Sequence, residues 1–139
     1  MTVAATASAR IAFRTLTPTE PLPTHLDDSL LLFPAVYRDW VWVAESDGLV
    51  IGLIVAIPCH GVVMILRAHM ADGAPRTALL ALLRRFFADV RARGYGYFMS
   101  WFGEADAERV LARIAERLGG VIHRQMAVAI ASPLPPEGT

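Results

Sequence analysis

The residues able to do chemistry concentrate in one short stretch of the chain. Arg76 stands at the start of an amphipathic helix, directly after the loop Ala71-Asp72-Gly73-Ala74-Pro75-Arg76. A helix N-terminus carries the positive end of the peptide dipoles, and a glycine lets backbone N–H groups approach an anion closely. A guanidinium beside them can pair with a phosphate through two parallel hydrogen bonds. His69 lies just past the apolar strand that leads into this loop. Histidine is a residue type suited to a general base that takes a proton from an amine. A loop histidine in solvent is the plainer reading of the same residue. His25, with Asp27 and Asp28 beside it, opens a short helix; these carboxylates either attract a cationic amine or serve as dipole partners of that helix.

Other chemistries lack their residues. All thirteen basic residues are arginine, so lysine Schiff-base and lysine general-base mechanisms are excluded. The four histidines and Cys59 show no metal-ligand spacing, and no metal site is expected. Ser100 lacks a nucleophile-elbow context, and Cys59 has no evident paired histidine. Tyr95 and Tyr97 begin a strand, where an aromatic ring serves as core or as an acid.

Elements that would position these groups follow from pattern. Arg10–Leu16 alternates as an edge strand, and three prolines then interrupt regular structure over Thr17–Pro23. Thr24-His25-Leu26-Asp27 reads as a capping box for a short helix reaching Leu32. Trp40–Glu45 is a strand with Trp40 and Trp42 on one face, ending at the hairpin signal Asp47-Gly48. Leu49–Ile57 is apolar on both faces, as a covered central strand requires. A turn over Pro58–Gly61 returns the chain as the strand Val62–Arg67.

The helix Pro75–Arg93 places Leu79, Leu82, Leu83, Phe86, Phe87 and Val90 on one stripe, with Pro75 at its first position and Gly94 just past its end. A strand Tyr95–Phe102, a helix Glu104–Leu118 and a strand Val121–Ala131 complete the order, followed by a loose Pro-rich tail over 132–139. This is one α/β domain, with a mixed, mostly antiparallel sheet flanked by helices.

Thr77-Ala78-Leu79-Leu80 opening the long helix, Arg91-Ala92-Arg93-Gly94 closing it and Ala115-Glu116-Arg117-Leu118-Gly119 closing the next make the chain resemble the GNAT acetyltransferases over about residues 9–131. The resemblance implies the acyl-CoA N-acyltransferase fold, with Val62–Arg67 antiparallel to Leu49–Ile57 and parallel to Tyr95–Phe102. It implies acetyl-CoA as cosubstrate, its pantetheine arm against the backbone of Leu66 to Ala68. The phosphates would lie at Gly73, Ala74 and Arg76, the catalytic base would be His69, and the acceptor a small-molecule or peptide amine. The family's phosphate loop, Gln/Arg-x-x-Gly-x-Gly/Ala, aligns here with Ala71, Ala74 and Arg76, so most of its glycines are replaced. The family's tyrosine acid aligns with Ala115.

Thirteen basic and thirteen acidic residues among 139 give a formal net charge of zero, so neither nucleic acid nor a membrane surface is expected as a partner. One cysteine, no long apolar span and no basic segment ahead of an apolar one imply a cytoplasmic protein without a signal peptide. An alternative reading is a non-catalytic GNAT-like binding or structural module, such as a tailed-phage virion or morphogenesis protein. It would work as a homo-oligomer or within a protein assembly. Trp40 and Trp42 discriminate: they are core beneath the 75–93 helix, or one of them is an exposed anchor.

Overall fold

Two tight hairpins set the register of the sheet. Asp47 and Gly48 have φ of 51° and 79°, and His60 and Gly61 have 50° and 82°, the left-handed pairs that two-residue type I′ turns require. In this computed structural model, which describes residues 10–32, 36–100, 113, 116, 117 and 132–138, these turns join β2 (Val41–Ser46), β3 (Leu49–Cys59) and β4 (Val62–Met70) into an antiparallel meander. β1 (Ile11–Thr15) adds antiparallel to β2 at the edge, as its alternation predicts. The helix α1 (Arg76–Ala92) carries the chain across to β5 (Tyr97–Ser100), which lies parallel to β4. Both pairings of the 62–67 segment expected from the sequence are therefore present.

β3 is buried on both faces, as its unbroken apolar run predicts. Ile51, Ile54 and Ala56 join Trp40, Trp42, Val63 and Ile65 under the α1 stripe of Leu79, Leu82, Leu83, Phe86, Phe87 and Val90. Leu53 and Val55 face the other way and pack with Val41, Val43, Leu16, Leu30 and Val36. Trp40 and Trp42 are core residues on the α1 side. Arg93 stacks over them, its guanidinium carbon 4.8 Å from each ring centroid, and donates to the Asp39 carbonyl at 2.8 Å. Gly94 then ends α1 at φ +94°. No described helix is long and apolar enough to cross a membrane.

Four sequence expectations change. β4 runs to Met70 rather than stopping at Arg67, because Arg67–Met70 keeps pairing with Gly52–Val55 of β3. The segment after the prolines is a 3₁₀ turn over Asp28–Leu32, not an α-helix. Its cap is Asp27, whose Oδ1 accepts the Ser29 N–H at 3.0 Å, in place of the Thr24 box. Pro75 is the N-cap of α1, with φ −60° and ψ 136°, one residue before the position expected. The tail is not loose at its start: Ser132–Pro133 forms β6, antiparallel to β5, and Leu134 packs on the core. Of the 104–118 helix only Arg113, Glu116 and Arg117 are described, all helical and exposed. Ala115 and the 121–131 strand lie outside the described residues.

Arg14 clamps the Pro-rich connector to the sheet edge. Its Nη1 and Nη2 donate to the two oxygens of Glu20 at 2.5 and 3.0 Å, and its Nε donates to Glu45 at 3.3 Å. The guanidinium, helped by the Thr17 N–H at 2.8 Å, holds the Glu20 carboxyl down to about 2 from its ordinary 4.5. A lowered carboxyl contributes stability that is complete above about pH 4.5 and lost as pH falls through about 2. Both side chains are partly exposed, so solvent screens most of the attraction. Glu20→Gln should cost about 1 kcal/mol at pH 7, and in urea melts the difference from wild type should vanish on acidification through that window.

Candidate functional site

Among the described residues β4 pairs with β5 over Val62↔Tyr97 to Ile65↔Ser100, and it continues through five more residues beside β3. At the same point its register against β3 shifts: Val55 faces Arg67 while Ala56 faces Ile65, so Leu66 is an extra residue. Such a bulge bends its strand, increases the local twist and leaves one residue's backbone out of the ladder. Among the described residues Leu66 has no pairing partner on β3 or β5.

The phosphate-type loop closes the same end of β4. The Ala71 N–H donates to the Ile51 carbonyl at 2.7 Å, and Ala68, Ala71 and Ala74 rest against the α1-side core, so the loop is anchored at its base. Gly73 has φ +80° and open space where a Cβ would be. Its neighbour Ala74 directs its N–H back to the Ala71 carbonyl at 3.1 Å, which withdraws that donor from any ligand. Pro75 contributes no N–H. Arg76, exposed, is the first residue of α1; the Ala78 N–H donates to the Pro75 carbonyl at 3.0 Å, and the N–H groups of Arg76 and Thr77 have no acceptor within the helix. The loop thus retains Gly73, the start of α1 and the Arg76 side chain.

The sheet face opposite α1 carries a polar cluster at this end. Because β4 reaches Met70, His69 is a strand residue rather than a loop residue, paired with Leu53 of β3. Its Nε2 is 3.6 Å from Asp27 Oδ2, and Arg67 Nε is 3.7 Å from the same oxygen. Arg67 Nε also donates to Ser29 Oγ at 3.3 Å, and Ser29 Oγ donates to Asp27 Oδ1 at 2.5 Å. Asp27 therefore caps the 3₁₀ segment and faces β4 at once.

Leu66, Ala68, His69, Gly73, Ala74 and Arg76 thus converge at one end of β4 and the start of α1. Four other residues do not join them. His60 is in the hairpin at the opposite end of β4. Tyr97 pairs with Val62 at that far end as well, and Tyr95 stacks edge-on against Trp40 with ring centroids 5.5 Å apart. His25 Nε2 is bound to the Val50 carbonyl at 3.0 Å. Sequence reasoning missed Arg67 as a member of the cluster. The signal was its two-residue spacing from His69, which puts both side chains on one face once the strand is extended.

No protein-family model matches the chain, and no curated protein matches it. Solved structures do. The ribosomal-protein-S18-alanine N-acetyltransferase from Escherichia coli is similar with a TM-score of 0.70 at 15% identity, over 93% of this chain and 97% of that one. A diaminobutyrate acetyltransferase from Paenibacillus lautus, in complex with its substrate and coenzyme A, is similar at 0.64 and 12% identity, over 91% and 96%. A GNAT family acetyltransferase from Elizabethkingia anophelis with acetyl-CoA bound reaches 0.60 at 15% identity, over 76% and 74%. The chain has the GNAT acyltransferase fold.

Proposed function

We propose that the chain is a cytoplasmic GNAT-type N-acetyltransferase that moves an acetyl group from acetyl-CoA to an amine. The observation that carries this reading is the bulge of β4 at Leu66, at the same end of the strand as the start of α1. The residues there fit the cosubstrate. The Leu66–Ala68 backbone offers donors and acceptors to an extended pantetheine arm. Gly73 has open space for a phosphate, and Arg76 and the first turn of α1 supply positive charge. Acetyl-CoA, when bound, supplies an acyl group activated as a thioester. α1 covers one face of the sheet, so the acceptor amine approaches from the other, where His69 stands. His69 removes a proton from the acceptor's ammonium, which frees the nitrogen lone pair for attack. Much of the remaining rate comes from holding amine and thioester in register.

The Elizabethkingia structure with acetyl-CoA bound and the Paenibacillus structure with a small amine substrate and coenzyme A support both halves of the reading. Thermal melting with and without acetyl-CoA tests it. At about 100 times the dissociation constant the ligand adds roughly 2.7 kcal/mol of stability. Arg76→Ala should weaken acetyl-CoA binding by about 1.5–3 kcal/mol, the scale of a charge-assisted hydrogen bond; unchanged affinity in calorimetry would remove Arg76 from the site.

A binding module without catalysis keeps one observation in its favour. Trp40 and Trp42 are buried, but Leu31 and Leu32 are 71% and 76% exposed. That reading predicts no acetyl-CoA stabilisation and an assembly state that changes in sedimentation when both leucines become serine.

A further inference from the structure

Asp27 is more completely used than a helix cap needs to be, and one of its oxygens is held for something else. The side chain is 8% exposed. Oδ1 is saturated by the Ser29 N–H and Oγ, and the Asp27 carbonyl accepts the Leu30 N–H at 3.2 Å, so both backbone and carboxylate are fixed. Oδ2 is buried and has no hydrogen-bond donor among the described residues. A buried carboxylate oxygen without a donor is unfavourable and needs a reason. Two side-chain nitrogens face it, Arg67 Nε at 3.7 Å and His69 Nε2 at 3.6 Å. Arg67 Nε already donates to Ser29 Oγ. The His69 ring, 46% exposed at the end of β4, closes the remaining gap with a small rotation.

We infer that Asp27 is a positioning residue for His69: its Oδ2 accepts the Nε2–H of the imidazole, which fixes the tautomer with Nδ1 unprotonated and turned to the acceptor amine. This rests on the acetyl-transfer reading for its consequence, though the pairing exists without turnover. In the step itself Nδ1 takes the proton from the ammonium, the ring becomes imidazolium with a proton on each nitrogen, and Asp27 stays ionised throughout. The fixed carboxylate stabilises that imidazolium, and the proton leaves to water from the exposed edge of the ring. Arg67 on the same strand lies near the same Asp27 oxygen as His69, and apolar Leu53 pairs with His69 across on β3. Among the described ion pairs, the negative group at His69 is the Asp27 carboxylate.

The asparagine variant gives a sharp test. In Asp27→Asn the amide oxygen must stay where Oδ1 was, because Ser29 donates to it twice. The amide NH₂ then faces His69 and donates to Nε2, which drives the proton to Nδ1. Nitrogen-15 NMR of the imidazole, at a pH where it is neutral, should show the Nε2–H form in wild type and the Nδ1–H form in the variant. In turnover, kcat should fall about 10- to 100-fold, with KM for acetyl-CoA unchanged. Asp27→Glu, which keeps a carboxylate, should recover part of the rate. An imidazole with the same tautomer in both proteins, or unchanged kcat in Asp27→Asn, overturns the inference. A wild type that fails to bind acetyl-CoA overturns the acetyl-transfer reading instead, and the NMR comparison still decides the pairing. Should the asparagine variant fail to fold, an Nδ1–H tautomer in wild type alone would overturn it.

Discussion

Trp42→Ala should lower folding stability by about 3–5 kcal/mol, the range for removing a fully buried large aromatic ring. Trp42 is packed edge-on against Phe86 at 4.8 Å and Trp40 at 5.8 Å, and Arg93 lies over its face. Its indole Nε1–H donates to Asp89 Oδ2 at 2.8 Å, an oxygen that Arg85 also engages. The substitution therefore opens a cavity between the sheet and α1, removes an aromatic chain's central member and takes a donor from a partly buried carboxylate. In a small domain whose total stability is about 5–15 kcal/mol, the loss is a large share of the whole. Urea melts of the two proteins give the number directly, and a cost under about 1 kcal/mol would mean that Trp42 is not where the core places it.

His69→Ala should have the second large effect, on rate rather than on folding. Removing a general base typically costs about 10²–10⁴-fold in turnover, or about 3–5 kcal/mol of barrier. The ring is half-exposed and 3.6 Å from Asp27 Oδ2, so the cost to folding should be small beside the loss in rate, and acetyl-CoA affinity should hardly move. Stopped-flow release of free thiol, compared with calorimetric binding of acetyl-CoA, separates the two quantities. A variant that keeps wild-type turnover would show that the amine loses its proton by another route.

Much of the fold was readable because it is written in local signals. Asp47-Gly48 and the two-faced apolar run that follows it define a hairpin and a covered strand, and the leucine and phenylalanine stripe of α1 has one consistent period. The site was readable only in part. Leu66-Arg67-Ala68-His69 looks like uninterrupted alternation, and the bulge at Leu66 exists because β3 and β4 must stay in register at both ends of a long pair. The extra residue turns Arg67 and His69 toward the face opposite α1, a change that no window of sequence records. The segment after the Asp27 cap is a 3₁₀ turn over Asp28–Leu32, where the cap alone suggested an α-helix. Its contact with His69 spans 42 positions of chain and comes from the layering of that segment on the sheet. β6 was hidden by its prolines: Pro133 lacks an N–H, yet an edge position tolerates it, and the Leu134 N–H donates to the Gly96 carbonyl at 2.8 Å instead.

Where acetyl-CoA touches the chain is the most direct question. Backbone amide NMR of the wild-type protein, titrated with acetyl-CoA, answers it residue by residue. The predicted result is saturable movement of the Leu66, Ala68, Gly73 and Arg76 signals, with the His60 and Gly61 hairpin at the other end of β4 unchanged. Amides that stay still at millimolar ligand, or that move only at the far end of the sheet, would contradict the account.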